Sequence, residues 1–384
     1  MSDSASRPIQ LSLLLDLTFV GGAEILLLNL FRGFDPAVVR PRVLCLREAG
    51  DLAGAFREAG IPVDVIGRSG RFDLRTVPRL VRRFRRDRTD VVLVTHHHRA
   101  SLTLGRIAAR LARTKANVIA AHDMGLVGLG KRVLPTHVVN TLFLSHALVL
   151  LAPSQGDYLR REEGVGRFPW RRIREVVIRN GIDVGHTPTI EERRGARALL
   201  ELSPADIAVG IVARLTDQKA HEVLLRAVAR LVPNHPDLRL VVIGDGPRAG
   251  ELRAEVDRLG IRQQVHFMGV RPDVAHLLPG LDLACLSSVN EGAPMSVLEA
   301  MAAGLPVVTT DTGALRDMVT DGEDGFVVPI GDVRRLADRI EQLVADPTMR
   351  ARFGAAARAR ADRDFRIEGT VSGFEQLLQT LVNR

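Results

Sequence analysis

Short apolar runs alternate with amphipathic stretches along almost the whole chain. In the first half, runs at 10–15, 42–46, 62–66, 90–95, 117–121 and 147–152 are rich in Leu, Val, Ile and Ala, with polar or turn-forming residues around them. Such runs read as short strands, and the segments between them are helix-compatible, so the alternation predicts a mainly parallel sheet with helices on both faces. The second half repeats the arrangement with runs at 207–213, 238–243, 265–267, 282–287 and 306–309. Leu224, Leu225, Val228 and Leu231 recur at helical spacing after the first of these and predict a helix over 221–232. Val297, Leu298 and Met301 mark the buried face of another helix, ended by Gly304 and Pro306. Two amphipathic segments over 333–363 turn Leu336, Ile340, Leu343 and Val344 inward.

A chain of 384 residues is long for one core and comfortable for two, since domains cluster near ~150 residues. Both cysteines, Cys45 and Cys285, fall inside apolar runs and read as small core residues, which argues for a reducing cytoplasm and against a disulfide framework. Charge is unevenly placed: residues 1–185 carry 29 Lys+Arg against 17 Asp+Glu, and residues 186–384 carry 24 against 28. The first half is therefore the one expected to meet an anionic partner. The polar start MSDSASRPIQ argues against a signal peptide. The longest apolar run, 142–152, is interrupted by Ser145 and His146 and falls short of the roughly 20 residues a membrane span needs. A cytoplasmic protein that does not cross a membrane is the expectation, with association at the cytoplasmic face left open.

One stretch bears on that association. Residues 71–88, RFDLRTVPRLVRRFRRDR, place Arg82, Arg83, Arg85 and Arg86 around a narrow stripe of Leu80, Val81 and Phe84. The pattern suits a helix lying on an anionic membrane and equally an ordinary outer helix with a solvated arginine face. Nucleic acid is not expected, because a single phenylalanine interleaves the arginines and no recognised binding motif accompanies them.

Candidate chemistry gathers where apolar runs end, and in an open parallel sheet ligands bind beyond the carboxyl ends of the strands. Glu291 follows the run 282–287 and Glu299 lies on the next helix, so two carboxylates can hold separate parts of an extended polyhydroxylated ligand. Pro294, which has no N–H, is expected in the first turn of that helix. Arg214 and Lys219 leave the strand-to-helix turn after 207–213, from which both can reach a diphosphate held at the helix N-terminus. Gly21 and Gly22 follow the first run, where backbone can come close to a ligand. The turn from Gly244 to Pro247 lacks the third glycine of a dinucleotide fingerprint. His96, His97 and His98 follow one run, and His122 and Asp123 another. Three histidines in an extended row point to alternate sides and cannot easily share an ion, so no metal site is expected there. Asp362 and Asp364 form a D-x-D pattern inside a charged helix end, which reads as incidental.

Glu291 and Glu299 within EGAPMSVLEAMAAGLPVV, Arg214 and Lys219 as an R-x4-K element, the GGAE turn at 21–24 and AHDMG around His122 together resemble the retaining glycosyltransferases of family four, of the group 1 type. The resemblance implies an α/β protein of GT-B fold, two Rossmann-like doubly wound domains facing across a deep cleft. An acceptor-binding domain would cover 1–184, a nucleotide-sugar-binding domain 185–364, and a helix over 365–384 would cross back to the first; the polar segment 187–194 fits the connection. The implied reaction moves a sugar from a nucleotide-diphosphate sugar, UDP ahead of GDP, to an acceptor hydroxyl. The acceptor would be a glycan or lipid-linked glycan in cell-surface polysaccharide or glycolipid assembly, with no metal and no cofactor. By the same resemblance Glu299 holds the ribose hydroxyls, Glu291 and His122 the transferred sugar, and Arg214 and Lys219 neutralise the leaving diphosphate. Gly21, Gly22, Gly244, Gly292, Ala293, Pro294, Met295 and Ser296 complete the donor site. Ala220 departs from the glycine usual in the family. Two other readings stay open: a nucleotide-sugar epimerase or phosphorylase on this fold, and a non-enzymatic protein that binds anionic membranes or nucleic acid through its basic half.

Overall fold

The computed structural model describes residues 7–18, 21–70, 73–95, 100–122, 145–162 and 173–383. They divide into two compact units, one of Met1–Gly181 with Ile367–Arg384 and one of Ile182–Arg366, where the sequence suggested breaks after 184 and 364.

The first unit is built on seven strands, β1 Ile9–Leu15, β2 Val39–Cys45, β3 Val63–Val65, β4 Val91–Thr95, β5 Ala116–Ala120, β6 Ala147–Leu150 and β7 Arg174–Val177. They are parallel and ordered β3-β2-β1-β4-β5-β6-β7. Because successive strand residues face opposite sides, β1 feeds two cores. Leu11, Leu13 and Leu15 pack with Val43, Leu93 and Val118 on one face, while Leu14 packs with Leu44, Val92 and Ile119 on the other. The helix Ile367–Val382 belongs to this unit and contributes Val371, Phe374, Leu377, Leu378 and Leu381 to the first of these cores. In this unit β7 is the strand the pattern missed. Its residues are exposed or half-buried and, among the described residues, it pairs with β6 at the sheet edge; its apolar part, Val176 and Val177 running into Ile178, is short.

The arginine-rich segment had two readings open, and its packing bears on them. The helix Thr76–Arg86 buries Leu80 and Phe84, 0% and 1% exposed, in the second core beside Leu44 and Val92, so the apolar stripe meets protein and cannot lie in a lipid surface. Arg83 turns inward as well, bonded to both Asp64 and Asp87. Arg82, Arg85 and Arg86 remain on the exposed side. Among the described residues no helix is long and apolar enough to cross a membrane.

The second unit has six parallel strands, β8 Ile207–Val212, β9 Leu238–Ile243, β10 Val265–Gly269, β11 Leu283–Leu286, β12 Val307–Thr310 and β13 Gly325–Val328. Their order is β10-β9-β8-β11-β12-β13. The chain builds outward from β8 in one direction, then returns to lay β11 on its other side, and this reversal is the place where open α/β sheets bind ligands. The segment expected to be a polar connection is a helix from its fourth residue. Thr189 accepts from the Glu192 N–H while the Glu192 side chain accepts from the Thr189 N–H, and this reciprocal cap starts the helix Ile190–Leu199.

Candidate functional site

Two loops meet at the reversal of the second sheet. One follows β8 and carries Arg214, a short helical turn Asp217–Lys219 and the start of the helix His221–Leu231. The other follows β11 and carries Glu291 into the helix Met295–Ala302. Adjacent strands bring them together although they lie some seventy positions apart in sequence, and side chains then lace them. Ser287 Oγ donates to the carbonyls of Lys219 at 3.0 Å and Ala220 at 3.1 Å. The Val289 N–H donates to the Gln218 carbonyl at 2.9 Å, and Gln218 Nε2 donates to the Asn290 carbonyl at 2.7 Å. On this lacing sits an ion pair, Lys219 Nζ to Glu291 Oε1 at 2.6 Å, with Glu291 only 5% exposed.

Geometry of the turn shows what the alanine at 220 costs. Ala220 has φ 44 and ψ 46, the left-handed region, which glycine enters freely and alanine enters at a cost. It is also the residue before the first turn of the helix His221–Leu231, so the strain buys the sharp reversal that leaves Lys219 facing Glu291. His221, next along, is 3% exposed among apolar neighbours, and neither ring nitrogen has a hydrogen-bond partner among the described residues. Burial first, then the positive charges of Lys219 and Arg248, pushes its pKa down to about 4.

A third loop joins from β9. The Leu215 N–H donates to the Asp245 carbonyl at 3.0 Å, and Gly244 has φ 138 with a Cβ position that would fall 2.1 Å from the Ala213 carbonyl oxygen. Only glycine lets these two backbones approach so closely. Arg248 then ties the loop to the helix start, 2.8 Å from Glu222 and 3.1 Å from Asp217. Arg214 stands exposed at the head of the turn.

Glu299 lies on the helix Met295–Ala302 as expected, half-buried, and desolvation raises its carboxyl pKa. Pro294 is displaced from its expected place: with φ −66 and ψ 126 it is extended and precedes the helix, whose first residue is Met295. Gly292, Pro294 and Met295 are buried, and Ala293 and Ser296 half-buried, beside Glu291 in sequence. The second unit thus assembles Lys219 with Glu291 on one laced pair of loops and continues directly into the helix of Glu299. Asp362 and Asp364 are engaged elsewhere, with Arg366 at 2.7 Å and Arg363 at 2.8 Å.

In the first unit the sheet reverses at β1, which lies between β2 and β4; the Gly21–Gly22 turn follows β1, whereas His122 follows β5 on the far side of β4. Gly21, with extended φ and ψ, precedes the helix Gly22–Gly33, whose first turn carries the buried Glu24. His122 follows β5 by two residues and is half-buried. His96, His97, His98 and Asp123 lie outside the described residues.

Sequence reasoning passed over Gln218, Ser287, His221 and Arg248. Arg248 had one usable signal, its position directly after the glycine turn; the lacing by Gln218 and Ser287 depends on strand order and left none.

Comparison with known proteins decides the family. The profile of the Glycosyltransferase Family 4 matches residues 20–186 and that of the Glycosyl transferases group 1 matches residues 197–360. EpsD of Bacillus subtilis, whose glycosyltransferase name is provisional, is 31% identical over 269 residues, 68% of this chain and 69% of its own. The chain belongs to the group 1, family 4 glycosyltransferases. The lipopolysaccharide core biosynthesis mannosyltransferase LpsB of Rhizobium meliloti is 29% identical over 58% of this glycosyltransferase and 70% of its own length. Among solved structures, HepE of Anabaena in complex with UDP superposes with a TM-score of 0.82 at 23% identity, covering 98% of this chain and 100% of that one. The sucrose-phosphate synthase of Thermosynechococcus elongatus gives 0.77 at 18% identity, covering 97% and 99%. The fold of this glycosyltransferase is accordingly GT-B, with a Rossmann-like sheet in each unit.

Proposed function

We propose that this glycosyltransferase moves a sugar from a UDP-sugar to an acceptor hydroxyl with retention of anomeric configuration and without a metal, in the assembly of a cell-surface polysaccharide or glycolipid. The observation that carries the reading is the Lys219–Glu291 pair at the reversal of the second sheet. Lys219 and Arg214, with the N-terminus of the helix His221–Leu231, supply positive charge where a departing diphosphate develops negative charge. Lys219 engages one carboxylate oxygen of Glu291, and the second is the acceptor for a sugar hydroxyl. Glu299 takes the ribose hydroxyls, and by the family resemblance His122 contacts the transferred sugar and the Gly21–Gly22 backbone faces the diphosphate. The C1–O bond to the diphosphate breaks as the acceptor oxygen bonds C1 from the same face, and the acceptor proton passes to the leaving phosphate. UDP is favoured over GDP because HepE was solved with UDP and with UDP-glucose. The cell-surface destination is favoured by the lipopolysaccharide core name of LpsB.

Contact with an anionic membrane is through the charge of exposed arginines such as Arg82, Arg85 and Arg86, and disappears at high salt. The deciding experiment is a thermal-shift and titration series with UDP-, GDP- and ADP-sugars in EDTA, followed by assignment of the product anomer by NMR. A melting point raised by UDP-sugars ahead of the others, with a retained anomer, is the expected result. Binding only in the presence of a divalent ion, or an inverted product, contradicts the reading.

A further inference from the structure

Gln155 lies in the helix Pro153–Glu162 that follows β6 and is fully buried, 0% exposed. Its side-chain oxygen accepts from the Leu151 N–H at 2.7 Å, and its side-chain nitrogen donates to the Ala121 carbonyl at 3.2 Å. One partner can only donate and the other can only accept, so the pair fixes the orientation of the amide and demands a side chain with one donor end and one acceptor end. The bond therefore ties together the carboxyl ends of two neighbouring strands, β5 and β6. Ala121 is held on its other side too, its N–H donating to the Val149 carbonyl at 3.0 Å.

What lies beyond Ala121 gives this brace a purpose. The Ala121 carbonyl belongs to the same planar peptide unit as the nitrogen of His122, so a bond to that oxygen sets the plane from which the histidine departs. We propose that Gln155 is the positioning residue for His122, holding the imidazole in the orientation it needs to meet the transferred sugar. The inference rests on the reading of His122 as a sugar contact. Gln155 does not itself touch substrate; it acts through one peptide plane.

The test uses the full chain, with UDP-glucose as donor probe and UDP release as the rate, together with the His122 ring signals of histidine-labelled protein, assigned with His122→Ala. Gln155→Met keeps the volume and removes both polar ends. It is expected to shift the His122 signals and lower turnover about 10- to 100-fold while UDP affinity changes by less than about twofold, since orientation and not donor binding is lost. In the His122→Ala background the same substitution is expected to add less than about twofold, because the two act as one unit. Gln155→Glu is the conservative variant: a protonated buried carboxyl offers one donor and one acceptor, so its activity relative to wild type is high at low pH and falls towards that of Gln155→Met as pH rises. Unmoved His122 signals in Gln155→Met, or the full loss persisting without His122, overturns the proposal. If His122→Ala alone leaves turnover unchanged, the sugar-contact reading fails, while the ring signals still decide whether Gln155 positions His122.

Discussion

Both units are parallel sheets with a reversal in strand order, yet the two reversals are furnished differently. In the second unit the loops after β8 and β11 are laced by Ser287, Val289 and Gln218 and closed by the Lys219–Glu291 pair, so charged side chains are held in fixed register. In the first unit the corresponding place offers glycine backbone at Gly21 and Gly22, with a histidine two residues past β5. A diphosphate is a constant ligand that rewards a rigid cationic site, whereas acceptors vary and are met by loops on a similar scaffold. Under the proposed function the same architecture serves two tasks through what is mounted at the ends of its strands.

The largest expected effect strikes the laced site. Lys219→Ala removes one partner of a buried pair and strands Glu291, which costs about 3–5 kcal/mol of stability, and it also removes a cation from the departing diphosphate, for a loss of roughly 100- to 1000-fold in rate. Glu291→Gln keeps a hydrogen-bond acceptor for Lys219 and is expected to cost only about 1 kcal/mol. Urea unfolding of both variants measures the asymmetry; equal losses would mean that the pair does not organise the loops.

Next in size is a pH effect confined to the second unit. His221 is held neutral in the fold, so its contribution is complete above its unfolded pKa near 6.5 and declines as pH falls from there towards its folded value of about 4. A displacement of that size corresponds to about 3 kcal/mol, to order of magnitude. His221→Leu is expected to flatten that part of the stability-against-pH curve. An unchanged acid slope in the variant would remove His221 from the account.

These outcomes bear on how far the sequence could be read. The apolar runs located β1 to β6 and β8 to β12 because strands buried on both faces are nearly continuous in aliphatic residues, whereas β13, four residues that open on Gly325, was passed over. β7 was hidden because an edge strand with charged and half-buried residues has only a short such run. Glu299 on its helix and Lys219 in its turn were legible from local spacing. The contact between Lys219 and Glu291 was not, because it follows from β11 being laid beside β8, a choice made by the whole sheet. The stripe of Leu80 and Phe84 was visible but ambiguous: the same helical period serves a membrane surface and a protein core, and only packing against Leu44 and Val92 chose the core.

That helix supplies a smaller test in the first unit. Arg83→Ala loses bonds to Asp64 and Asp87 and is expected to cost about 1.5–3 kcal/mol, whereas Arg82→Ala, on the exposed side, is expected to stay within about 0.5 kcal/mol. Thermal denaturation distinguishes them; equal costs would contradict the inward placement of Arg83. Smallest of all, Ala220→Gly relieves a left-handed alanine at about 1–2 kcal/mol and gives back roughly 0.5–1 kcal/mol in chain entropy. A modest rise in melting temperature is expected, and a fall would mean that the turn is not strained.

The contrast between the two reversals is tested most directly by calorimetric titration of UDP into the wild-type chain and into Arg214→Ala, Lys219→Ala and His122→Ala. Affinity is expected to fall about tenfold or more in the first two, each losing a charge-assisted contact to the diphosphate, and to hold in the third. Undiminished binding without Lys219, together with binding lost on removal of His122, would contradict the account.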